Sequence, residues 1–247
     1  MGKLRIEAHV HNGRTVITDC FFTAPFKIVK PYYDKNRAEV MIMQASAGIL
    51  EGDKYEVEIV VKSGASLMVT GQSYTKLFKM DSGYATQNVK ITVESGASLF
   101  YLPCPIIPFG GSSFVSENEI HLQKGSEFIM QDILACGRKG MGEEFKFRKY
   151  HSRVVVYENE RLIFVDNTRL IPKEYEYHKM GYFEGCSHQG VAYFYGRKQI
   201  KSINKSESIT AAITNLRKGQ ILRILSDSGD RIVNYIKTYV EEENDGT

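Results

Sequence analysis

The sequence predicts a mainly β protein, a β-helix-like solenoid of stacked strand-turn-strand units with a small C-terminal α/β appendage. One block carries this prediction, because Lys62–Leu67 returns in nearly the same letters as Glu94–Leu99, so that Gly64 and Gly96 stand 32 residues apart. A weaker third copy follows at Lys124–Phe128. A fixed period of this length is typical of stacked supersecondary units, none of which can bury its apolar face alone.

Strand-like alternation surrounds these blocks. Apolar and polar residues alternate over Tyr55–Val61 and again over Val89–Glu94, the period of two that half-buried strands show. Each Ser-Gly pair supplies a turn residue that is free to adopt a positive φ. An ordinary β-sandwich with similar hairpins would give the same pattern, and three copies leave that alternative open.

The remaining elements follow in chain order. Leu4–Val10 and Thr15–Phe22 form an opening hairpin, since Asn12-Gly13 between them suits a type I′ turn. Glu39–Ala45 is predicted as a strand, and the repeats occupy about 54–131.

Strands continue beyond the repeats. Arg153–Tyr157 and Arg161–Val165 flank a second hairpin turn, and the aromatic-rich Gly190–Gln199 is a further strand. We therefore expect a β-helix-like body over 1–199.

The chain then changes character, and 200–247 is predicted as a helix-strand-helix appendage packed on the same domain. Lys205–Leu216 is expected to be helical and Gln220–Ser226 to be a strand. A second helix follows Asp227 or Ser228 as its N-cap and has an apolar stripe that includes Ile232.

Composition limits the functional classes. The 247 residues carry 32 basic and 29 acidic side chains, a net charge of +3, with no basic run, which argues against a nucleic-acid partner. No apolar run approaches the roughly 20 residues that a membrane span needs, and residues 1–22 lack a signal-peptide core, so we expect a cytoplasmic protein with no membrane partner. Four widely spaced cysteines are expected to be reduced.

A search for catalytic motifs predicts no enzyme. Gly137–Gly142 lacks the Gly-Lys-Ser/Thr ending of a phosphate loop, and neither a Gly-x-Ser-x-Gly nor a His-Glu-x-x-His motif occurs. Glu184, Cys186 and His188 would share one face of a strand as nickel or zinc ligands, although a turn with unrelated side chains is the alternative. His9 and His11 repeat this spacing and are expected to be solvated edge residues.

Four segments stand in a fixed order along the chain, and together they resemble the family of the urease accessory protein UreD, called UreH in some bacteria. The segments are Ser46–Asp53, Thr70–Lys76, Tyr101–Pro108 and Gly137–Phe147. The resemblance implies a β-helix-like fold and a non-enzymatic chaperone that helps assemble the nickel centre of urease. The implied partners are UreF, the GTPase UreG through UreF, and the urease apoprotein. The implied ligand is transient nickel(II), with no tightly bound cofactor.

The resemblance also implies a polar passage for nickel inside the β fold. Matched residue by residue, its lining falls on Asp53, Thr75, Asp132 and Asp166. Asp132 stands out without the family, because a carboxylate inside an apolar run needs a partner or a function. Structural alternatives are that Asp53 caps the Gly52 turn, that Asp132 pairs with Arg138 and that Asp166 holds backbone amides.

Cys104 lies in the Pro-x-Pro motif. It has two interpretations, a buried structural cysteine or a nickel-binding thiolate. Two other functions remain open at this point. One is a β-solenoid enzyme that acts on polysaccharide, and the other is a scaffold that takes no part in nickel transfer.

Overall fold

A computed structural model describes residues 1–196, 200, 202–203 and 207–241, and it shows a β-solenoid of about four turns. The described residues form 18 strands, one short 3₁₀ turn at Lys139–Met141 and one α-helix, α1 (Gly229–Glu241). The strands are β1 (Gly2–His11), β2 (Arg14–Phe22), β3 (Phe26–Ile28), β4 (Tyr32–Asp34), β5 (Arg37–Gln44), β6 (Lys54–Val61), β7 (Ser66–Gly71), β8 (Thr75–Leu77), β9 (Ala85–Val93), β10 (Ser98–Leu102), β11 (Ile106–Pro108), β12 (Ser113–Leu122), β13 (Glu127–Ala135), β14 (Lys149–Glu158), β15 (Arg161–Leu170), β16 (His188–Tyr195), β17 (Ile209–Asn215) and β18 (Gln220–Ser226).

Two facing sheets make up the solenoid. Sheet 1 has the strand order β15-β14-β12-β9-β6-β1-β2, and sheet 2 follows the order β17-β18-β16-β13-β10-β7-β5-β3 with β4, β8 and β11 attached. The chain passes back and forth between the sheets, so that β6, β9, β12 and β14 are parallel neighbours in sheet 1. Strands β5, β7, β10 and β13 are parallel neighbours in sheet 2. The predicted solenoid is therefore confirmed.

The repeated glycines form the tight turns between the sheets. Gly64, Gly96 and Gly125 have φ values of 75°, 71° and 86°, where a Cβ would strain the backbone. The turns stack on one another, and Ser66 and Ser98 at equivalent positions share a side-chain hydrogen bond of 2.8 Å. The opening hairpin is confirmed as well, with positive φ at both Asn12 and Gly13.

Apolar side chains from the two sheets meet in one core. Alternation along β6 buries Tyr55, Val57, Ile59 and Val61, as the pattern predicted. A second apolar layer lies on the opposite face of sheet 2, where Ile232 and Ile236 of α1 pack among residues of β10, β13, β16 and β18. Helix α1 thus covers the outside of sheet 2.

The predicted helix over 205–216 is wrong. Residues 205 and 206 lie outside the described part, and β17 occupies most of the remainder. Strand β17 pairs antiparallel with β18, which in turn pairs with β16, so this segment extends sheet 2. The strand over 220–226 and the helix after Ser228 are confirmed. Strand β16 ends at Tyr195, before Gly196 with its positive φ, and residues 197–199 of the predicted strand lie outside the described residues.

Candidate functional site

An interior cavity of about 100 Å³ lies between the two sheets, towards the ends of β7 and β10. A single water needs roughly 10–15 Å³ of such volume, so several waters or a hydrated ion fit inside. The polar side chains of its lining are Gln44, Thr70, Gln72, Ser73, Thr75, Gln87, Tyr101, Cys104, Ser116, Asn118, Gln131, Asp132, Tyr150 and Ser152.

Strand register produces one polar side of this cavity. Gln87, Ser116 and Ser152 are directly aligned neighbours on β9, β12 and β14, so they form a row across sheet 1. Alternation turns this row inward, where Asn118 of β12 is also polar and most other inward positions of the same strands are apolar. The cavity is therefore polar because equivalent positions of successive turns carry polar residues.

Asp132 faces this row from sheet 2 and joins the two sheets by hydrogen bonds. Its Oδ2 atom accepts a 2.7 Å bond from Ser152 Oγ, and its Oδ1 atom accepts a 3.2 Å bond from the hydroxyl of Tyr150. The part of Asp132 that protein atoms do not cover faces the cavity. Asp132 is therefore a carboxyl group with two side-chain donors that also lines the cavity.

Burial raises the pKa of the Asp132 carboxyl, the bonds from Ser152 and Tyr150 oppose that shift, and the charge of Asp166 adds to it. Burial together with the Asp132 charge also raises the pKa of Tyr150 well above its ordinary value, so Tyr150 stays a neutral donor. A cation in the cavity would offset the cost of the buried charge.

Of the other three predicted lining residues, one lines the cavity and two do not. Thr75 lines the cavity with Asp132. Asp53 lies outside the lining and accepts 2.8 Å bonds from the Leu50 N–H and the Tyr55 hydroxyl, which fixes the turn around Gly52 as the structural alternative predicted.

Asp166 on β15 also lies outside the lining. It accepts a 3.1 Å bond from the Thr168 hydroxyl and a 2.7 Å bond from Arg223 of β18. The pair with Arg223 ties an edge strand of sheet 1 to sheet 2, and both of these donors are side chains, not the backbone amides that the alternative predicted.

Arg138 does not pair with Asp132. Its Nε atom donates a 2.8 Å bond to Glu143 Oε2, and its guanidinium lies 4.0 Å above the centre of the Phe109 ring. The bond from Arg138, with a further bond from the Gly110 N–H, lowers the pKa of Glu143 to about 2. Strand β13 ends at Ala135, so Arg138 follows the strand and does not share the inward position of Asp132.

The predicted thiol and imidazole ligands are separated. Cys104 lines the cavity and is half-buried, and burial is the main cause that raises the pKa of its thiol. Glu184 and Cys186 lie in a turn before β16, whereas His188 begins that strand and bonds Ser187 Oγ at 2.8 Å. Within the described residues, no three His, Cys, Asp or Glu side chains are grouped closely enough to hold a metal ion.

His9 and His11 sit at the end of β1, where His9 bonds Glu7 at 2.6 Å and His11 bonds its neighbour Asn12 at 3.2 Å. They do not reach the cavity lining. All four cysteines lie in the described part of the chain and are free thiols.

Sequence reasoning missed several residues that form the site. Gln87, Ser116, Ser152 and Tyr150 face the cavity, as does Gln131 beside Asp132. The signal available for the first three was a polar residue at an inward position of an alternating strand whose inward positions are mainly apolar. The arrangement as a whole offers weak oxygen ligands to a hydrated cation, and it lacks the group of three strong ligands that would retain one.

Comparison with known proteins gives one consistent family. Residues 1–242 match the family model described as UreD urease accessory protein. The chain is 40% identical to the urease accessory protein UreD of Acetivibrio thermocellus, with 95% of this chain and 94% of the relative covered. It is 31% identical to UreH of Helicobacter hepaticus over 92% and 91% of the two chains, and 30% identical to UreD of Flavobacterium johnsoniae over 95% and 89%. In the described residues, no helix has the length and apolarity required to span a membrane.

Proposed function

This chain belongs to the UreD family of urease accessory proteins, and from that premise we propose that it acts as a non-catalytic chaperone in urease maturation. In this proposal the chain binds the urease apoprotein and UreF, and through UreF the GTPase UreG. Nickel(II) is a cargo that passes through the interior cavity, and the work takes place in the cytoplasm.

The observation that carries the proposal is the Asp132 carboxylate on the wall of a polar cavity. Ser152 and Tyr150 donate to its two oxygens from the facing sheet, and the carboxylate lines the cavity. A single carboxylate among hydroxyl and amide groups binds a divalent cation weakly, because each contributes one oxygen and water completes the coordination. Weak binding suits a path, since a cargo must also leave.

Asp132→Asn tests this role, because the amide keeps the shape of the side chain and removes its charge. We expect urease from cells that carry the variant to contain less nickel and to be less active, while the variant still co-purifies with UreF and urease. Glu117→Gln is the matched control, since Glu117 lies on the outer face of sheet 1 and pairs with Arg153 at 3.5 Å.

Two results would contradict the proposal in different ways. If urease from cells with Asp132→Asn is fully loaded with nickel, the cavity is not part of the nickel path, and the chain is a scaffold that joins UreF to urease. Loss of co-purification in Asp132→Asn would assign the residue a structural role.

A further inference from the structure

Sheet 2 is interrupted where the cavity meets it. Strand β10 pairs with β13 as far as Tyr101 and Met130, and pairing resumes on β11 only at Ile106 and Leu134. Residues 131–133 of β13 therefore lack a ladder partner on that side within the described chain.

The neighbouring pair of strands has the same interruption. Strands β7 and β10 pair as far as Thr70 and Leu102, and β8 and β11 resume pairing at Thr75 and Ile106. Two of the three residues between Leu102 and Ile106 are prolines, which have no N–H and so cannot continue a ladder. We call the gap bounded by 71–74, 103–105 and 131–133 the window.

The cavity extends through the window to the other face of sheet 2. Gln131 and Asp132 are adjacent on β13, and adjacent strand residues point to opposite faces. Both nevertheless line the one cavity. The interior space at Asp132 is thus continuous with a space on the side of the sheet that α1 covers, where Gln131 and Thr70 lie.

Gln131 has an unused acceptor in this window. Its side chain is almost fully buried, with the residue 2% exposed, and its Nε2 atom donates a 2.8 Å bond to the Pro103 carbonyl. That bond fixes the amide so that Oε1 is the free end, and Oε1 is buried without a hydrogen-bond partner. A buried carbonyl without a hydrogen-bond partner is destabilising, and a ligand in the window would remove that cost.

Cys104 lies on 103–105, the middle segment of the window, and also lines the cavity. Its sulfur is packed so closely on Gly71 that a Cβ at that position would lie 3.0 Å from Sγ. A side chain at position 71 would therefore displace the thiol. Glycine at this point and the two prolines around Cys104 hold the sulfur in the lining.

We propose that the window is a second cation-binding station, in which Cys104 Sγ and Gln131 Oε1 bind a borderline-soft divalent metal ion and water molecules complete its coordination. The inference rests on the proposed function and deepens it, because it names the place where the cargo crosses sheet 2. On binding, the thiol releases its proton to solvent and the sulfur forms the metal bond, with no change of oxidation state. A thiolate ligand favours a borderline-soft ion such as nickel(II) over calcium or magnesium, which prefer oxygen ligands.

Titration of the purified full-length chain with nickel(II) under reducing conditions tests the station directly. We expect a thiolate-to-nickel charge-transfer band in the near ultraviolet, at one thiolate per chain. Cys104→Ser abolishes the band, and Cys186→Ser and Cys20→Ser retain it as controls for the more accessible thiols. Gln131→Leu keeps the thiol and weakens nickel binding about tenfold.

Circular dichroism of each variant establishes that it is folded, and Cys104→Ala provides a second substitution if serine disturbs the window. A folded wild-type chain with no band, or a band of full intensity in both Cys104 variants, overturns the station. These readouts need no urease. Full nickel loading of urease in cells that lack this chain would instead overturn the proposed function and leave the station standing.

Discussion

Ser152→Ala removes the shorter of the two hydrogen bonds that hold the Asp132 carboxylate. The bond joins Ser152 Oγ to Asp132 Oδ2 at 2.7 Å, and Ser152 is 2% exposed. Tyr150 donates the second bond at 3.2 Å to the other oxygen, so Tyr150→Phe provides a matched, milder change in the same site.

The expected magnitude follows from the charge of the acceptor. A hydrogen bond to an ionised group contributes about 1.5–3 kcal/mol to stability, against about 0.5–1.5 kcal/mol for a neutral pair. We expect Ser152→Ala to lower the free energy of unfolding by about 2 kcal/mol where Asp132 is ionised, and by about 1 kcal/mol where it is protonated. Tyr150→Phe should cost about 1 kcal/mol under the first condition because its bond is longer.

The sign of the pH dependence follows from linkage. The bond from Ser152 lowers the pKa of Asp132, so its removal raises that pKa further above the ordinary carboxyl value. The loss in Ser152→Ala should therefore grow as the pH rises through the carboxyl's titration. Urea unfolding of wild type, Ser152→Ala, Asp132→Ala and the double variant gives the coupling energy of the pair.

A coupling energy below about 0.5 kcal/mol at every pH would refute the assignment of this bond. A loss in Ser152→Ala that is independent of pH would show that the hydroxyl has another partner.

Three further outcomes are expected. Because burial raises the pKa of Asp132, the folded state keeps the Asp132 proton to higher pH than the unfolded chain does. The stability of Asp132→Asn relative to wild type should therefore increase from acid to neutral pH in urea unfolding, and a decrease would contradict the raised pKa. Leu67 is fully buried between the sheets, so Leu67→Ala should cost about 2–5 kcal/mol in the same assay, and a cost below about 1 kcal/mol would contradict that packing. A Cβ at Gly96 would meet only the Gly64 nitrogen, at an ordinary contact distance of 3.8 Å, so Gly96→Ala should lose only about 1–2 kcal/mol for its positive φ. A Cβ at Gly137 would overlap the Glu143 carbonyl, so Gly137→Ala should lose clearly more stability in thermal unfolding, and equal losses would refute the close approach.

Local patterns predicted the solenoid because each repeat carries its own turn and strand signals. The spacing of Gly64 and Gly96 and the alternation of Tyr55–Val61 are local in sequence, and both predictions are confirmed. The helix expected over 205–216 was wrong because Ile209, Ala211 and Ile213 alternate with more exposed residues as in a strand. Pairing with β18 then fixed the conformation, and no property of the segment alone specifies that partner.

The site was harder to predict because it depends on register. Asp132 was identified as a carboxylate inside an apolar run, but its donors, Tyr150 and Ser152, stand 18 and 20 residues further along the chain. Gln87 and Ser116 reach the cavity only because β9 and β12 align them with Ser152. The window lies where the pairing of neighbouring strands is interrupted, and such an interruption leaves no periodic pattern in the sequence.

The central claim is that nickel reaches urease with the help of this chain, and the nickel content of purified urease tests it most directly. Urease would be produced with UreF, UreG and the other maturation components, in cells with and without this chain, and its nickel measured per active site. We predict abundant but nickel-poor, inactive urease in the absence of the chain. Urease that is fully loaded without it would contradict the account.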